Sequence, residues 1–262
     1  RKMHRSAMGM INRFTRYLKM RKIDMLDEIT TKVINQYLDW LDVAAKTKRN
    51  HLGEIRRMLQ HAVIEEVLFS NPGAHAKCPK GPKANLHRDL DAIDLKLIFE
   101  HADQWHLYYR FLYHTGLRAG DVAMLRLKNI DRKHQTIVSL VRKSRKVHEF
   151  PLPQILNQAI DWGIDDDSPL FPTLYSLSEQ TLNGKLKKPR KHMQAILKSH
   201  ERPHATLHSF RRAFNNALRD LGLDIEDRKA LLAHASVDTT LMYTSRNLEL
   251  ARHFVDQITV TH

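Results

Sequence analysis

The chain is predicted to be mainly α-helical, with one small antiparallel β-sheet and two domains. Three observations carry that expectation. Apolar residues recur at helical spacing over most of the 262 residues. One stretch breaks the pattern: TIVSLV is rich in β-branched residues, and HEFPLP resembles a strand returning beside it. The run KCPKGPKANLHR, residues 77–88, has no apolar period and is rich in Pro, Gly and Lys, so it reads as a linker. We place the boundary near residue 86, giving domains 1–86 and 87–262.

In the first domain, Met10, Phe14, Tyr17 and Leu18 follow the spacing of one buried helical face. Val33, Ile34, Tyr37, Leu38 and Leu41 mark a second helix, with Thr30 or Thr31 as its N-cap. Ile55, Leu59, Ala62 and Val63 mark a third, ending at the break FSNPG. Around these faces run many Lys and Arg residues, among them Arg13, Arg16, Lys19, Arg21, Lys46, Lys48, Arg56 and Arg57. Each one alone reads as a solvated helix face. Together they suit a helical module that tracks a phosphate backbone.

The second domain opens with helices around 91–102 and 105–114, followed by TGLRAGDVAMLRLKNID, a turn leading into a short helix. The two strands come next, with KSRKV as a basic hairpin tip. A helix near 153–162, an irregular patch containing SPLFP and a basic helix around 190–200 follow. From His204 to Tyr243 the pattern is two amphipathic helices and a short third. Leu248, Ala251, Val255 and Ile258 then recur at helical spacing near the C-terminus. An apolar face of this kind ordinarily packs on its own domain.

Composition narrows the class of partner. The chain is 42% hydrophobic and 27% charged, ordinary for a soluble globular protein. Its formal net charge of +14 favours polyanions, nucleic acid above all. No long apolar span, signal peptide or lipidation motif supports a membrane. The lone Cys78 excludes an internal disulfide and suits a reducing, cytoplasmic location. The chain opens on Arg1 without an initiator Met, as a piece of a longer protein would.

Several polar residues suggest chemistry at a phosphate. Arg118 precedes a short helix, where the dipole alone disfavours a cation, and a bound phosphate would resolve the conflict. A local ion pair with Asp121 is the structural alternative. His208 and Arg211 stand three residues apart on one helix, with Arg212 adjacent as a second phosphate contact or a surface charge. Polar residues facing water would look the same. His234 follows the second amphipathic helix, where it could instead meet helix-end carbonyls, and Tyr243 could be a core residue. As a set they are chemically complete. Two Arg can neutralise a pentacoordinate phosphorus without a metal. A Tyr hydroxyl, with a free pKa of about 10, can attack once its developing charge is stabilised. A hairpin Lys can protonate the leaving 5′-oxygen. No HExxH, CxxC pair, P-loop or acidic cluster suited to Mg²⁺ appears, so neither a metal nor a cofactor is expected.

These segments resemble the tyrosine recombinase family, the phage integrases and Xer-type site-specific recombinases. TGLRAGDVAMLRL resembles the family's first Arg motif, which implies a catalytic role for Arg118 and a supporting one for Asp121. HSFRRAF resembles its His-x-x-Arg motif, implying His208 and Arg211, and LLAHASVDTTLMYTS resembles the segment bearing His234 and the nucleophile Tyr243. VRKSRKVHEFPLP is similar to the hairpin with the catalytic Lys, favouring Lys143 with Lys146 as the alternative. The chain departs from the family at Arg212, commonly His, and at AHAS, where Gly-His is usual.

The resemblance implies a two-domain clamp on double-stranded DNA, with a core-binding domain followed by a catalytic one. It implies cleavage through a 3′-phosphotyrosine, a homo-tetramer on two recombination sites, and a Holliday-junction intermediate. The C-terminal helix would then dock on a neighbouring protomer. Two other activities remain compatible with the same residues. One is type IB topoisomerase-like relaxation, and the other is a catalytically idle DNA-binding regulator.

Overall fold

The computed structural model describes residues 2–78, 88–141, 146–232 and 245–258. The chain divides into two compact units, Arg1–Ala84 and Asn85–His262. The residues of the expected linker from 79 to 87 lie outside the described ones.

The first unit holds α1 (Lys2–Met20), α2 (Thr31–Trp40) and α3 (Ala45–Ile64). Phe14, Tyr17, Ile34, Tyr37, Leu38, Ile55 and Leu59 are buried among them, as the apolar spacing predicts, whereas Met10 is only partly covered. Thr30 is the N-cap of α2, its hydroxyl accepting from the Val33 amide. Thr31 instead donates its hydroxyl proton to the Pro72 carbonyl at 2.7 Å. Helix α3 stops at Ile64, before FSNPG. Glu66 turns left-handed (φ 59°), and the Val67 and Leu68 amides both reach back to the Ala62 carbonyl, so the helix closes on itself.

The second unit begins with α4 (Ala92–Glu100), α5 (His106–Thr115) and α6 (Ala119–Val122). A reciprocal capping box between Asp91 and Asp94 starts α4. Gly116, at φ 58°, ends α5. A Cβ there would come within 2.3 Å of Phe214 Cδ1, so Gly is required for conformation and for space.

A three-stranded antiparallel sheet follows in the order β1 (Ile130–Asp131), β2 (Thr136–Val141), β3 (Lys146–Pro151). The register sets Ile137 opposite Phe150 and Ser139 opposite His148. These four side chains are buried, while Val138, Leu140 and Val147 are exposed, the alternation of a half-buried sheet. Lys146 and Val147 belong to β3 rather than to the hairpin tip.

Next come α7 (Gln154–Ala159), α8 (Glu179–Lys185), α9 (Lys187–Ser199), α10 (His208–Asp220), α11 (Ile225–Leu231) and α12 (Ser245–Asp256). Helix α7 is shorter than expected because Ile160 is already extended. Helix α8 fills part of what looked irregular, its N-cap supplied by Ser178. The amphipathic α10 lies against α5 and buries Phe210, Phe214 and Leu218.

Helix α12 is seated on its own domain. Ala251, Val255 and Ile258 join the main core, Asp256 accepts from the Gln154 amide at 2.8 Å, and Arg252 donates to the His134 carbonyl at 2.7 Å. Ala251, Val255 and Ile258 are therefore covered within this chain, as the apolar spacing ordinarily implies. No helix among the described residues is long and apolar enough to cross a membrane.

Candidate functional site

The site is built where α5, α10, α11 and β3 converge, and Arg211 is its centre. Arg211 lies on the first turn of α10 and is only 4% exposed. Its Nη1 donates to the Gly116 carbonyl at 2.8 Å, and its Nη2 donates to the Leu232 carbonyl. One guanidinium thus joins the loop after α5 to the end of α11. A guanidinium has five N–H groups, and these bonds use two. Burial, the nearby Arg118 charge and a partial offset from Asp121 bring its pKa down to about 10. It stays charged at neutral pH.

Arg118 stands at the N-cap position of α6 with extended backbone. Its side chain is 28% exposed, and its Nη1 is 4.0 Å from Asp121 Oδ2. The local ion pair that the sequence allowed is therefore present, at the long end of ion-pair distance. Asp121 itself is buried. Two Arg of like charge lie near enough to act on one another, one buried and one part-exposed, and such a pair can be stabilised by an anion. The scaffold beneath it is firm. The Tyr108 hydroxyl donates to the Ala119 carbonyl at 2.8 Å, and the Leu117 amide donates to Thr115 Oγ1 at 3.2 Å.

His208 opens α10 one turn before Arg211 and is exposed. Arg212 points to a different task. Its Nε lies 2.6 Å from Asp89 Oδ1 and its Nη2 3.3 Å from Asp89 Oδ2, tying α10 to the first residues after the linker. Lys146, the first residue of β3, pairs in register with Val141. Lys143, His234 and Tyr243 lie outside the described residues. The structure therefore brings together Arg118, Asp121, His208 and Arg211, with His234 following two residues after Leu232, whose carbonyl Arg211 holds.

One residue escaped the sequence reading. His148 on β3 is 9% exposed, and its Nε2 is 2.9 Å from the Leu231 carbonyl. Burial lowers its pKa, the Leu231 carbonyl works against that, and the charges of Arg211 and Arg118 lower it further. The available signal was strand alternation, because His148 is two residues from Phe150 and so shares its inward face. Among the described residues no cluster of three or more His, Cys, Asp or Glu is suited to a metal ion.

Comparison with known proteins identifies the family and the fold. Residues 88–249 match the phage integrase family, and residues 2–78 match the phage integrase SAM-like domain. The tyrosine recombinase XerD of Vibrio vulnificus is 28% identical over 246 residues, covering 84% of this chain and 77% of that protein. The tyrosine recombinase XerC of Myxococcus xanthus is 28% identical over 264 residues, covering 93% and 86%. A lambda integrase dimer bound to a COC′ core site shares the fold with a TM-score of 0.71 at 17% identity, over 90% of this chain and 89% of that one. A lambda integrase tetramer bound to a Holliday junction gives 0.67 at 18% identity, over 92% and 73%. The chain belongs to the phage integrase family, and its relatives are tyrosine recombinases.

Proposed function

We propose that this member of the phage integrase family cuts and rejoins duplex DNA at paired recombination sites through a covalent bond to Tyr243. The Tyr243 hydroxyl passes its proton to a neighbouring imidazole, His208 or His234, as its oxygen attacks the scissile phosphorus, a 3′-phosphotyrosine forms, and the bond to the 5′-oxygen breaks. Arg118 and Arg211 hold the non-bridging oxygens and stabilise the charge that builds there. His208 and His234 complete the polar shell around the phosphate, and Asp121 supports Arg118. Lys143 supplies the proton that the departing 5′-oxygen needs, with Lys146 as the alternative. A 5′-hydroxyl from the partner strand then attacks the phosphotyrosine and restores Tyr243. The phosphodiester energy is conserved in the covalent intermediate, so resealing needs no nucleotide.

The observation that supports this reading best is the state of Arg211. A buried cation without a bidentate carboxylate partner is costly to keep. Arg211 is held by two carbonyls with the Arg118 charge nearby, an arrangement that an incoming phosphate stabilises. Assembly as a tetramer on two DNA sites, through a Holliday junction, follows from pairwise strand exchange, and the lambda integrase tetramer supports it. In that assembly α12 leaves its seat on its own domain to dock on a neighbour.

A nicked suicide duplex, built on the tightest site selected from random-sequence DNA, tests the proposal. The wild-type chain should become covalently attached to it. Tyr243→Phe should bind the same duplex with unchanged affinity and form no adduct. Adduct formation by Tyr243→Phe at the wild-type rate would overturn the assignment. Relaxation of supercoiled plasmid without such sites would mark a topoisomerase instead.

A further inference from the structure

Helix α11 ends on two carbonyls held from two different sides. The Leu231 carbonyl lies 2.9 Å from His148 Nε2 on β3, and the Leu232 carbonyl accepts from Arg211 on α10. Carbonyls in the last turn of a helix have no partner within it, so these outside donors hold the last turn of α11 in place. A carbonyl can only accept, so the contact requires the hydrogen on Nε2. Burial and the two nearby Arg charges hold the ring neutral, which leaves it a single N–H. The register places His148 directly opposite Ser139 on the inward face of the β2–β3 hairpin. That hairpin carries Lys143 in its connection.

We infer that His148 is a positioning residue for strand cleavage, its Nε2–H locking the β2–β3 hairpin to the end of α11. This bond holds β3, which follows Lys143 in the sequence, to the last turn of α11, which precedes His234 and Tyr243 in the sequence. The inference rests on the reading of Tyr243 as nucleophile. The chemical requirement is narrow: a hydrogen-bond donor at the Nε2 position. An apolar side chain of similar size would fill the space and leave the Leu231 carbonyl without its donor.

The test compares the wild-type chain with His148→Gln, His148→Asn and His148→Leu on the suicide duplex described above. The Gln amide nitrogen falls near the imidazole Nε2 position, the Asn amide nitrogen near Nδ1, and Leu offers no donor. His148→Leu and His148→Asn should form adduct about 10- to 100-fold more slowly at saturating protein, the cost of a small misplacement of reacting groups. Half-saturation with DNA should stay within about twofold, because no phosphate contact is lost. His148→Gln should recover most of the wild-type rate.

Wild-type rates in His148→Leu, or equal losses in His148→Gln and His148→Asn, would overturn the inference. If His148→Leu does not fold, the Gln and Asn pair decides alone. Failure of the wild type itself to form an adduct would strike the nucleophile assignment instead. Amide exchange at the last turn of α11, faster in His148→Asn and restored in His148→Gln, would then still test the lock. Unchanged exchange in both variants would refute it.

Discussion

His114 makes the stability of the catalytic domain sensitive to mild acid. It lies on α5, two residues before the glycine that turns the chain toward Arg118, and it is fully buried. Neither ring nitrogen has a hydrogen-bond partner among the described residues. Burial brings its pKa from 6.5 down to about 4, the Arg110 charge one turn earlier adds to this, and the nearby Ile258 backbone opposes it. Above pH 6.5 the ring is neutral in both folded and unfolded chains. Between 6.5 and about 4 the unfolded chain takes up a proton that the folded chain refuses, so stability falls as pH falls. At roughly 1.4 kcal/mol per pKa unit, the loss is about 3 kcal/mol across that window.

His114→Leu removes the titration while keeping a buried side chain of similar bulk. Urea unfolding of wild type and variant at pH 7.5, 6, 5 and 4.5 checks the prediction. The stability difference between them should shift by about 3 kcal/mol toward the variant as pH drops, the contribution of every other His cancelling in the comparison. A difference that stays constant with pH would refute the reasoning.

Three further outcomes follow from particular contacts. Gly116→Ala forces an L-residue into a left-handed conformation, at about 1–2 kcal/mol, and drives a methyl into Phe214, at about 1–3 kcal/mol more. Thermal unfolding should register the combined loss. Asp94→Asn removes the carboxylate shared by Arg88 and Arg202. Burial alone would raise the Asp94 pKa, but the two Arg outweigh it and hold it at about 2. The stabilisation is therefore full above the ordinary pKa of 3.8 and fades as pH falls toward 2, a trend the wild type should show in acid titrations and Asp94→Asn should lack. Arg211→Lys keeps one charge but cannot serve both the Gly116 and Leu232 carbonyls. Leaving one buried carbonyl unpaired should cost about 1–3 kcal/mol, and adduct formation should fall about 100-fold or more.

Much of this architecture was legible because it is local. The Thr30 cap, the buried stripe of Tyr37 and Leu38, and the alternation of β2 against β3 all follow from neighbours within a few residues. The pairing of His208 with Arg211 on one helix is legible for the same reason. What escaped depends on residues far apart in sequence. Nothing near Gly116 announces that Phe214 closes over it, and nothing near Arg212 announces Asp89. His148 looked like one polar residue in a strand until Leu231 came beside it. Helix α8 was missed because its cap, Ser178, follows a stretch with no apolar period. The seat of α12 was undecided because an apolar stripe says that a helix is covered without saying by what.

In the proposed function Tyr243 is the residue that joins protein to DNA. Mass spectrometry of the suicide-substrate adduct, after nuclease and protease digestion, measures this directly. A phosphonucleotide is expected on the peptide containing Tyr243, esterified through the phenolic oxygen and linked to the 3′ side of the break. A nucleotide on any other residue, or one linked through a 5′-phosphate, would contradict it.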